Sequence, residues 1–432
     1  MRLRNLLIPL ALLMAVMAFG GTQTLAKGPD DGGKTLLVDG LLQPRGIKAG
    51  PDGMLYVAEA GTGGDKKVEG GGGTVYTGNT GRISKIDPVT GKRTTVLDGI
   101  PSAWGGNAND DPSANGLADI AFLDNTLYYL STGGESIFPG HPAGIYKVTI
   151  AKDPAASTAK LLANVGAFTA ANPTIAVKNG TQEDVDPEGN PYSMIVRGRS
   201  FYVVDGNQNQ VIQVTEGGAI SRLADFGEHV VSTGIASKED GPLFVSTIGQ
   251  GPFLPEDGRV FQVGFPTGNV VKIASGVSFL TGLAFGPGGQ LYAQSFAEPT
   301  DDPNGPPIKI GTGGIFKVNA DGTLAAVITG FTAGTTFTFI GDTAYVLNDS
   351  LNAFGTGEIW KIANFSSITP QAPAVAAPTP PPAPQTKPVG ITPPNTGSGP
   401  SSSDSSMLWL ITMAAAALGT LAIARGVATK RR

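Results

Sequence analysis

Short apolar runs separated by turn residues recur six times along this chain. The clearest copies cover residues 46–61 (GIKAGPDGMLYVAEAG) and 282–297 (GLAFGPGGQLYAQSFA), and further copies cover 119–131, 193–205, 234–247 and 336–348. In each copy an apolar run, a turn containing Gly, Pro, Asp or Asn, and a second apolar run follow one another. Such short, turn-bounded runs fit buried β-strands rather than helices. The pattern therefore predicts two adjacent strands joined by a tight turn in each copy.

A second motif follows every copy and predicts a third strand. It places Lys or Gln between apolar residues, and it begins at Ile83, Ile145, Val211, Val260, Ile315 and Ile359. Repeated units of short strands are the mark of a β-propeller, in which each blade covers the faces of its neighbours. We therefore predict an all-β domain over residues 34–365, a six-bladed β-propeller of the NHL/SMP-like kind. A β-sandwich, the alternative from composition, would not require six matching copies.

The two ends of the repeat region complement each other. Residues 34–40 (KTLLVDG) resemble the predicted outer strands at 94–99 and 326–330, whereas the last copy ends at Ile362 without an outer strand. We expect residues 35–39 to supply the missing outer strand of the sixth blade. Such closure removes open sheet edges that would invite aggregation.

Three connections stand out by length and composition. Residues 61–81 are rich in glycine, but no Gly-Lys-Ser/Thr sequence follows, so we expect a flexible surface loop rather than a phosphate-binding loop. Residues 101–115 and 168–190 lead into the second and third blades. Long connections in a compact domain are usually functional or mobile.

Residues 1–26 match a secretory signal peptide. Arg2 and Arg4 precede an apolar run over residues 6–19, and Thr24-Leu25-Ala26 supplies the small residues of a cleavage site. This order of basic, apolar and small-residue segments is typical of exported proteins. Cleavage would start the mature chain near Lys27, and an uncleaved membrane anchor is the alternative.

Beyond the repeats, the composition predicts a stalk and an anchor. Residues 366–406 consist largely of Pro, Ala, Thr, Ser and Gly, a composition that favours a disordered, extended stalk. Residues 407–424 form an uncharged apolar run that is long enough for a transmembrane helix, and residues 425–432 form a basic, cytoplasmic tail. Together with the signal peptide, these segments predict an extracytoplasmic propeller at the cell surface.

A short motif before the apolar run offers a second mode of attachment. Pro394, Thr396 and Gly397 form a Pro-x-Thr-Gly sequence that resembles the cell-wall sorting signal recognised by sortases. The resemblance implies that Thr396 becomes covalently attached to the wall and that the following residues are removed. Pro393 departs from the pattern, because the family usually has Leu there. A plain membrane anchor is the alternative.

The charge and the rare residue types exclude several functions. The formal net charge is -5, with no basic stripe for phosphates, so nucleic acid is not an expected partner. Because the chain contains no cysteine and only 2 histidines, it has no disulfide, no thiol nucleophile and no multi-histidine metal site. His141 and His229 are expected in surface loops, and no Ser-His-Asp set can be placed.

Aligning the copies places a polar residue at the end of every second strand. This column consists of Glu59, Ser131, Asp205, Thr247, Ser295 and Asn348. A second column, at the start of the innermost strand, consists of Arg45, Ala118, Tyr192 or Ser193, Thr233, Thr281 and Thr336. These strand ends should converge at one mouth of the central channel. We therefore predict a ligand site formed by Arg45, Glu59, Asp119, Asp205, Thr247, Ser295 and Asn348.

Four carboxylates in this region are candidate metal ligands. Glu59, Asp119, Asp186 and Asp205 would suit a hard cation such as Ca²⁺, which takes about six to eight oxygen ligands. The alternative is a wet channel lined by polar groups that bind water. We expect Arg45 to pair with a carboxylate such as Glu59 rather than to bind an anion.

The order of several motifs resembles the ScyD/ScyE-type secreted propellers. The matching residues include PRGIKAGPDGMLYVAEAGTGGD from Pro44, NGLADIAF from Asn115, DVDPEGNPYSM from Asp184 and TGLAFGPGGQLY from Thr281. The resemblance implies a secreted or periplasmic six-bladed propeller and provides no catalytic residues. Members often carry cysteines in the loop matching residues 61–81, whereas this chain has none.

Two functions remain open from the sequence. The first is a binding or scaffold module held at the cell surface, with an unknown extracellular ligand. The second is a metal-dependent hydrolase of the lactonase or esterase type, which would use the polar columns at the channel mouth as its site.

Overall fold

The apolar runs become strands because each is buried on both faces between neighbouring sheets. The structure, a computed structural model, describes residues 33–70, 73–105, 114–182, 185–250, 253–300, 308–350 and 355–371. Apart from Gly33, these residues belong to one of two compact units of the chain, Lys34–Arg432. The predicted signal peptide, sorting motif, apolar run 407–424 and basic tail lie outside the described residues, as does the stalk beyond residue 371. No helix within the described residues is long and apolar enough to cross a membrane.

Six antiparallel sheets, here called blades, make up the domain, and each is built around four strands. From inside to outside, blade 1 comprises β2 (Pro44–Ala49), β3 (Leu55–Glu59), β5 (Gly73–Ile86) and β6 (Arg93–Gly105), and blade 2 comprises β8 (Leu117–Leu123), β9 (Thr126–Ser131), β10 (Gly144–Thr149) and β11 (Thr158–Asn164). Blade 3 comprises β12 (Pro191–Arg197), β13 (Ser200–Asp205), β14 (Gln210–Thr215) and β15 (Ile220–Asp225), and blade 4 comprises β16 (Ser232–Ser237), β17 (Leu243–Thr247), β18 (Arg259–Val263) and β19 (Val270–Ser275).

The last two blades follow the same order. Blade 5 comprises β20 (Leu280–Phe285), β21 (Leu291–Ser295), β24 (Gly313–Val318) and β25 (Leu324–Phe331), and blade 6 comprises β26 (Phe337–Ile340), β27 (Thr343–Asn348), β28 (Gly357–Ile362) and β1 (Lys34–Leu41). The remaining elements are β4 (Lys66–Gly70), β7 (Ala114–Asn115), β22 (Glu298–Pro299) and β23 (Ile308–Lys309), the helices α1 (Gly134–Ile137), α2 (Val165–Ala171) and α3 (Ile175–Lys178), and the 3-10 turns Pro154–Ala156, Pro287–Gly289 and Phe365–Ser367.

The blades close into a ring, so the domain is a six-bladed β-propeller. The innermost strands contact one another in the order β2, β8, β12, β16, β20 and β26, and β26 contacts β2 again. Apolar clusters fill the spaces between successive blades. One of them joins Tyr56 and Ile83 of blade 1 to Ile120 and Tyr129 of blade 2. Another joins Leu347 of blade 6 to Ile47 of blade 1. The predicted fold is confirmed.

The N-terminal strand completes the last blade. β1 pairs antiparallel with β28, with Thr35 opposite Lys361 and Leu41 opposite Gly357. Leu41 is buried among apolar residues of blades 6 and 1. The predicted closure by residues 35–39 is therefore confirmed, and the strand extends one residue earlier and two later than predicted.

The Gly-rich insertion is a hairpin rather than a loop. β4 pairs with the first half of β5, with Lys67 opposite Tyr76, and β5 continues alongside β6 beyond the body of the blade. The Tyr76 and Trp104 rings stack across this extension, 4.6 Å apart. The expectation of a flexible loop over residues 61–81 was wrong, because cross-strand pairing offsets the low strand preference of glycine.

Candidate functional site

The two ends of the ring carry very different connections. The strand register places the last residue of each second strand beside the start of the innermost strand, as in Glu59 with Pro44 and Asp205 with Pro191. Because strand direction alternates within a blade, the connections from second to third strand and from blade to blade all lie at this end. We call it the elaborated end, since it carries the β4–β5 hairpin, α1–α3 and the β22–β23 pair. The opposite end, the hairpin end, carries turns of two (residues 124–125) to eight (150–157) residues.

The polar column of the second strands lies at the elaborated end, as predicted. Its members are Glu59, Ser131, Asp205, Thr247, Ser295 and Asn348, and all except the partly buried Asn348 are buried. Ser295 Oγ donates a hydrogen bond to the Ser278 carbonyl oxygen at 2.8 Å, and Asn348 Oδ1 accepts one from the Thr332 backbone at 2.7 Å. Both contacts reach the segment that leads into the innermost strand. The column members of blades 1, 3, 5 and 6 therefore hold the entries of their own blades in place.

Glu59 is the most constrained member of the column. Its carboxylate is 0% exposed and accepts hydrogen bonds at 2.7 Å from the Leu42 backbone N–H and from Arg82 Nη2. The Ser84 hydroxyl donates to the other carboxylate oxygen. The pairing of Arg45 with a carboxylate stays a prediction, and the cation that the structure pairs with Glu59 is Arg82. Arg82 lies directly across the sheet from Glu59 and occupies that position.

The buried Asp205 carboxylate is held by neutral hydrogen-bond donors among the described residues. One oxygen accepts backbone N–H donors from Asn190, Asn207 and Gln208 at 2.7–3.1 Å, and the other accepts Gln210 Nε2 at 3.1 Å. Burial raises the pKa of the Asp205 carboxyl, while these donors act in the opposite direction. Gly189 approaches so closely that a Cβ atom there would strike the Asp205 carboxylate. The backbone is thus wrapped around this carboxylate.

Asp119 joins the innermost strands of three blades. On blade 2 it accepts a hydrogen bond from the Met194 backbone of blade 3 at 2.9 Å and pairs with Lys48 Nζ of blade 1 at 3.0 Å. Burial raises the pKa of the Asp119 carboxyl, and the Lys48 ammonium partly opposes that effect. Gly46 faces Asp119 and leaves no room for a Cβ atom. Asp119 therefore acts as a bridge between inner strands.

Arg45 and Tyr192 meet at the same end. Both are 5% exposed, and the Arg45 guanidinium lies 5.4 Å from the centre of the Tyr192 ring. Burial lowers the pKa of Arg45 and raises that of Tyr192. The Arg45 guanidinium thus packs against an aromatic ring at the predicted site, while Glu59 and Asp119 pair with Arg82 and Lys48.

The threonines of the second column connect neighbouring blades. Thr233 Oγ1 donates to the Leu280 carbonyl oxygen at 2.6 Å, and Thr281 Oγ1 donates to the Gly334 carbonyl oxygen at 2.9 Å. In blade 6 the residue in this role is Thr335, not the predicted Thr336, and it donates to the Pro44 carbonyl oxygen of blade 1 at 3.1 Å. These three threonines join neighbouring blades, and Thr335 helps to close the ring.

The four candidate metal ligands do not form one cluster. Asp186 lies in the connection before blade 3, where its backbone N–H donates to Asn207 Oδ1 and its carboxylate accepts from the Glu188 N–H at 2.9 Å. Within the described ranges, no three His, Cys, Asp or Glu side chains are grouped so as to hold a metal ion. The carboxylates at 59, 119 and 205 already accept several donors each.

An amide cluster at this end has no counterpart in the sequence prediction. It consists of Gln182, Asn207, Gln208, Asn209 and Gln210, all buried. Asn209 accepts from the Val230 and Val231 backbone and donates to Gln182 Oε1 at 3.1 Å. The cluster therefore docks the α2–α3 segment on blade 3. Its signal in the sequence is the run of four amide residues at 207–210, where the preceding strand predicts an exposed turn.

His141 lies at the elaborated end in the connection between β9 and β10. Its ring stacks on Tyr146 with centroids 4.3 Å apart, and Tyr146 stacks in turn on Tyr129 at 4.8 Å. Burial in this stack lowers the pKa of His141 to about 4. His141 is thus in a loop, as predicted, but it packs as a neutral aromatic ring. His229, between blades 3 and 4, contacts Gln250 through Nδ1.

Buried polar atoms without partners concentrate at the elaborated end. Among the described residues, the buried side-chain nitrogen and oxygen atoms at this end that make no hydrogen bond to protein include Arg82 Nε, Asn115 Oδ1, His141 Nε2, Thr174 Oγ1, Gln208 Oε1 and Gln294 Oε1. One further atom of this kind, Arg197 Nη1, lies at the hairpin end. Such atoms are usually satisfied by water or by a ligand. This distribution marks the elaborated end as the candidate binding surface.

Comparisons with known proteins leave the function open. No protein-family model and no curated protein matches the chain. Among solved structures, it is similar to a gluconolactonase from Xanthomonas campestris (15% identity, 76% of this chain and 88% of that chain, TM-score 0.46). It is also similar to a putative oxidoreductase (glucose dehydrogenase) from Thermus thermophilus (13% identity, 76% of this chain and 98% of that chain, TM-score 0.49). A third similar structure is virginiamycin B lyase from Staphylococcus aureus (12% identity, 76% of this chain and 97% of that chain, TM-score 0.38). At this level of similarity the assignment as a six-bladed β-propeller depends on the strand pairing of the chain itself.

Proposed function

We propose that this chain is a binding propeller displayed at the cell surface, and that its elaborated end contacts an extracellular ligand. The observation that carries the proposal is the concentration of long connections and unpartnered buried polar atoms at that end. Binding surfaces are commonly built from connections on a rigid scaffold. Display at the surface is supported by the sequence of residues 1–26 and 407–432.

A binding role fits the site better than metal-dependent hydrolysis. A hydrolase of the lactonase type needs carboxylates that are free to hold a cation and polarise a carbonyl group. In this chain Glu59 and Asp205 each accept three or more hydrogen bonds from protein donors. The hydrolase therefore stands as the competing hypothesis, and it is separable by experiment.

Metal analysis and lactone hydrolysis decide between the two functions. We expect the purified chain to contain no stoichiometric Ca²⁺ and to leave simple γ- and δ-lactones unhydrolysed. Bound Ca²⁺ and lactone turnover, both lost in a Glu59→Ala, Asp205→Ala double variant that still folds, would establish the hydrolase instead.

The binding surface is tested by blocking one end of the ring at a time. Because the chain contains no cysteine, Glu256→Cys at the elaborated end and Asp240→Cys at the hairpin end each create a unique attachment point. Both residues are exposed and belong to blade 4. On glycan and peptide arrays, we expect a bulky maleimide adduct at position 256 to abolish binding and the same adduct at 240 to leave it unchanged. The reverse order would place the binding surface at the hairpin end.

The mode of attachment is read from the mature C-terminus. We propose that the Pro-x-Thr-Gly motif is cleaved and that Thr396 joins the chain to the cell wall. Cleavage of the Thr396–Gly397 bond would transfer the Thr396 carbonyl group to an amine of the wall, so mass spectrometry of the protein released from cell walls should find a C-terminal peptide that ends at Thr396 and carries the attached wall fragment. A chain that still ends at Arg432 would leave the apolar run 407–424 as a plain membrane anchor.

A further inference from the structure

The chain leaves the last blade through a short segment that packs back onto the ring. β28 ends at Ile362, at the hairpin end, and residues 363–371, here called the strap, follow it. Asn364 has left-handed backbone angles (φ 51°), which turn the chain out of the line of β28. The 3-10 turn Phe365–Ser367 comes next. The strap is therefore a distinct element that begins where the blade ends.

One aromatic side chain fixes the start of the strap between two blades. Phe365 is 1% exposed, and its ring centroid lies 5.2 Å from that of Tyr292 in blade 5 and 5.1 Å from that of Phe339 in blade 6. Ile368 packs, partly buried, against the same apolar cluster. The strap thus joins blade 6 to blade 5 outside their strand ladders.

Polar contacts follow one another along the strap. The Phe365 N–H donates to the Asp342 carbonyl oxygen at 3.0 Å, and the Ser366 N–H and hydroxyl donate to the Asp342 carboxylate at 2.8 and 2.7 Å. Asp342 belongs to the tight turn between β26 and β27. At the far end, the Gln371 N–H donates to the Ala326 carbonyl oxygen of β25 at 2.7 Å, in a single β-bridge.

This arrangement resists a pull on the C-terminal side one contact at a time. The bridge of Gln371 is loaded first, then Ile368, then the contacts of Ser366 with Asp342, and Phe365 last. β28 is held differently, because it is paired with β27 on one side and with β1 on the other. Drawing β28 out along its axis requires that both ladders break together. The strap should therefore yield at a lower force than the ring.

We propose that the strap is an extensible joint, which peels from blades 5 and 6 under tension while the six-bladed ring stays closed, and which re-forms when the tension falls. The proposal rests on the proposed attachment through the C-terminal sequence, since that attachment directs tension along this path. Residues 363–371 reach about 30 Å when fully extended. A displayed propeller that holds an external ligand would give way by this length before its elaborated end is distorted.

Single-molecule force measurements on the purified full-length chain test the joint. One handle is attached to the cysteine of a Glu256→Cys variant, in blade 4, and the other to a tag at the C-terminus. We expect an early, reversible increase in contour length of at most about 30 Å, the length of the released strap. The steps that correspond to unfolding of the ring should follow at higher force.

Two aspartate variants in this background assign the early step. Asp342→Ala removes the acceptor of both Ser366 contacts and should lower the force of the early step without lowering that of ring unfolding. The matched control is Asp240→Ala, which removes an exposed aspartate from the corresponding turn of blade 4, between β16 and β17, and should change neither force. Buried Phe365 is left intact, so that the ring folds in every variant.

Failure of the joint and failure of surface display are distinguishable. Unfolding without an early step, or an early step that has the same force in the Asp342→Ala variant, overturns the joint and leaves display untouched. Display is measured separately, by labelling the Glu256→Cys variant on intact cells with a membrane-impermeant maleimide. Labelling of cell extracts but not of intact cells would overturn display, and with it the tension that the joint is inferred to bear.

Discussion

Glu59 illustrates how a conspicuous polar residue is used within a propeller blade. It follows four buried residues of β3, and its carboxylate accepts hydrogen bonds from Leu42, Arg82 and Ser84. A buried charge of this kind is tolerated only when donors surround it. At the scale of single residues, position in a polar column therefore indicates a structural requirement before it indicates a ligand.

Glu59→Ala should lower the free energy of unfolding by about 2–4 kcal/mol, because Arg82 and the Leu42 N–H lose a buried acceptor. The matched control is Glu216→Ala, which removes an exposed ion pair with Arg199 and should cost less than about 1 kcal/mol. Urea denaturation of both variants measures the difference. Equal losses would show that the Glu59 network contributes no more than a surface pair.

His141 gives the propeller a specific dependence on pH. The pKa of His141 is 6.5 in the unfolded chain and about 4 in the folded one. Between these two pH values the unfolded chain therefore binds a proton at His141, whereas the folded chain does not. The unfolding free energy contributed by this group should therefore decrease as pH falls from 6.5 to about 4 and level off below that. His141→Phe keeps an aromatic ring in the stack but removes the titration.

Denaturation curves collected between pH 7 and pH 4 test this assignment. The Phe variant should lose less stability than the parent chain across the window, whereas the buried carboxyls at 119 and 205 affect both proteins alike. If the two proteins follow parallel pH profiles, His141 is not buried in its neutral form.

At the scale of elements, threonine side chains near the start of the innermost strands form hydrogen bonds between neighbouring blades. Thr281→Val keeps the shape of the side chain but leaves the buried Gly334 carbonyl oxygen without its donor. We expect a loss of about 1–2 kcal/mol in unfolding free energy. Thr94→Val on the exposed face of β6 should change it by no more than about 0.5 kcal/mol. Similar values for the two variants in chemical denaturation would contradict a role in joining blades.

Some elements were visible in the sequence and others were not, for physical reasons. Strand pairs such as β20–β21 are buried on both faces, so their apolar runs and the Pro-Gly-Gly turn between them could be recognised. The β4–β5 hairpin has too many glycines for an alternating pattern. The amide run at 207–210 looks like an exposed turn, because its burial depends on the distant α2–α3 segment.

The sequence placed the polar columns at one end of the ring but did not predict their contacts. Repeat alignment brought Glu59, Asp205 and Ser295 to one end of the ring, and strand register confirms that placement. Alignment does not reveal which backbone groups each side chain meets, since those groups come from the blade entries and from neighbouring blades. In blade 6, Thr336 stands where the preceding copy has Gly282, so the alignment chose Thr336 although Thr335 makes the contact.

At the scale of the whole molecule, β1 completes the last blade. Its pairing with β28 gives blade 6 four strands, like the other blades, and joins the two ends of the propeller sequence in one sheet. If residues 34–41 paired elsewhere, blade 6 would keep three strands and β28 would become an open sheet edge.

Disulfide formation between two introduced cysteines tests this closure most directly, because the chain has no cysteine of its own that could compete. A Thr35→Cys, Lys361→Cys double variant places the pair opposite each other on β1 and β28. The control, Thr35→Cys with Lys85→Cys, uses the corresponding lysine of the third strand of blade 1. Under mild oxidation, peptide mass spectrometry should find a 35–361 disulfide in the first variant and no 35–85 disulfide in the second. A 35–85 disulfide without a 35–361 disulfide would contradict the closed six-bladed ring.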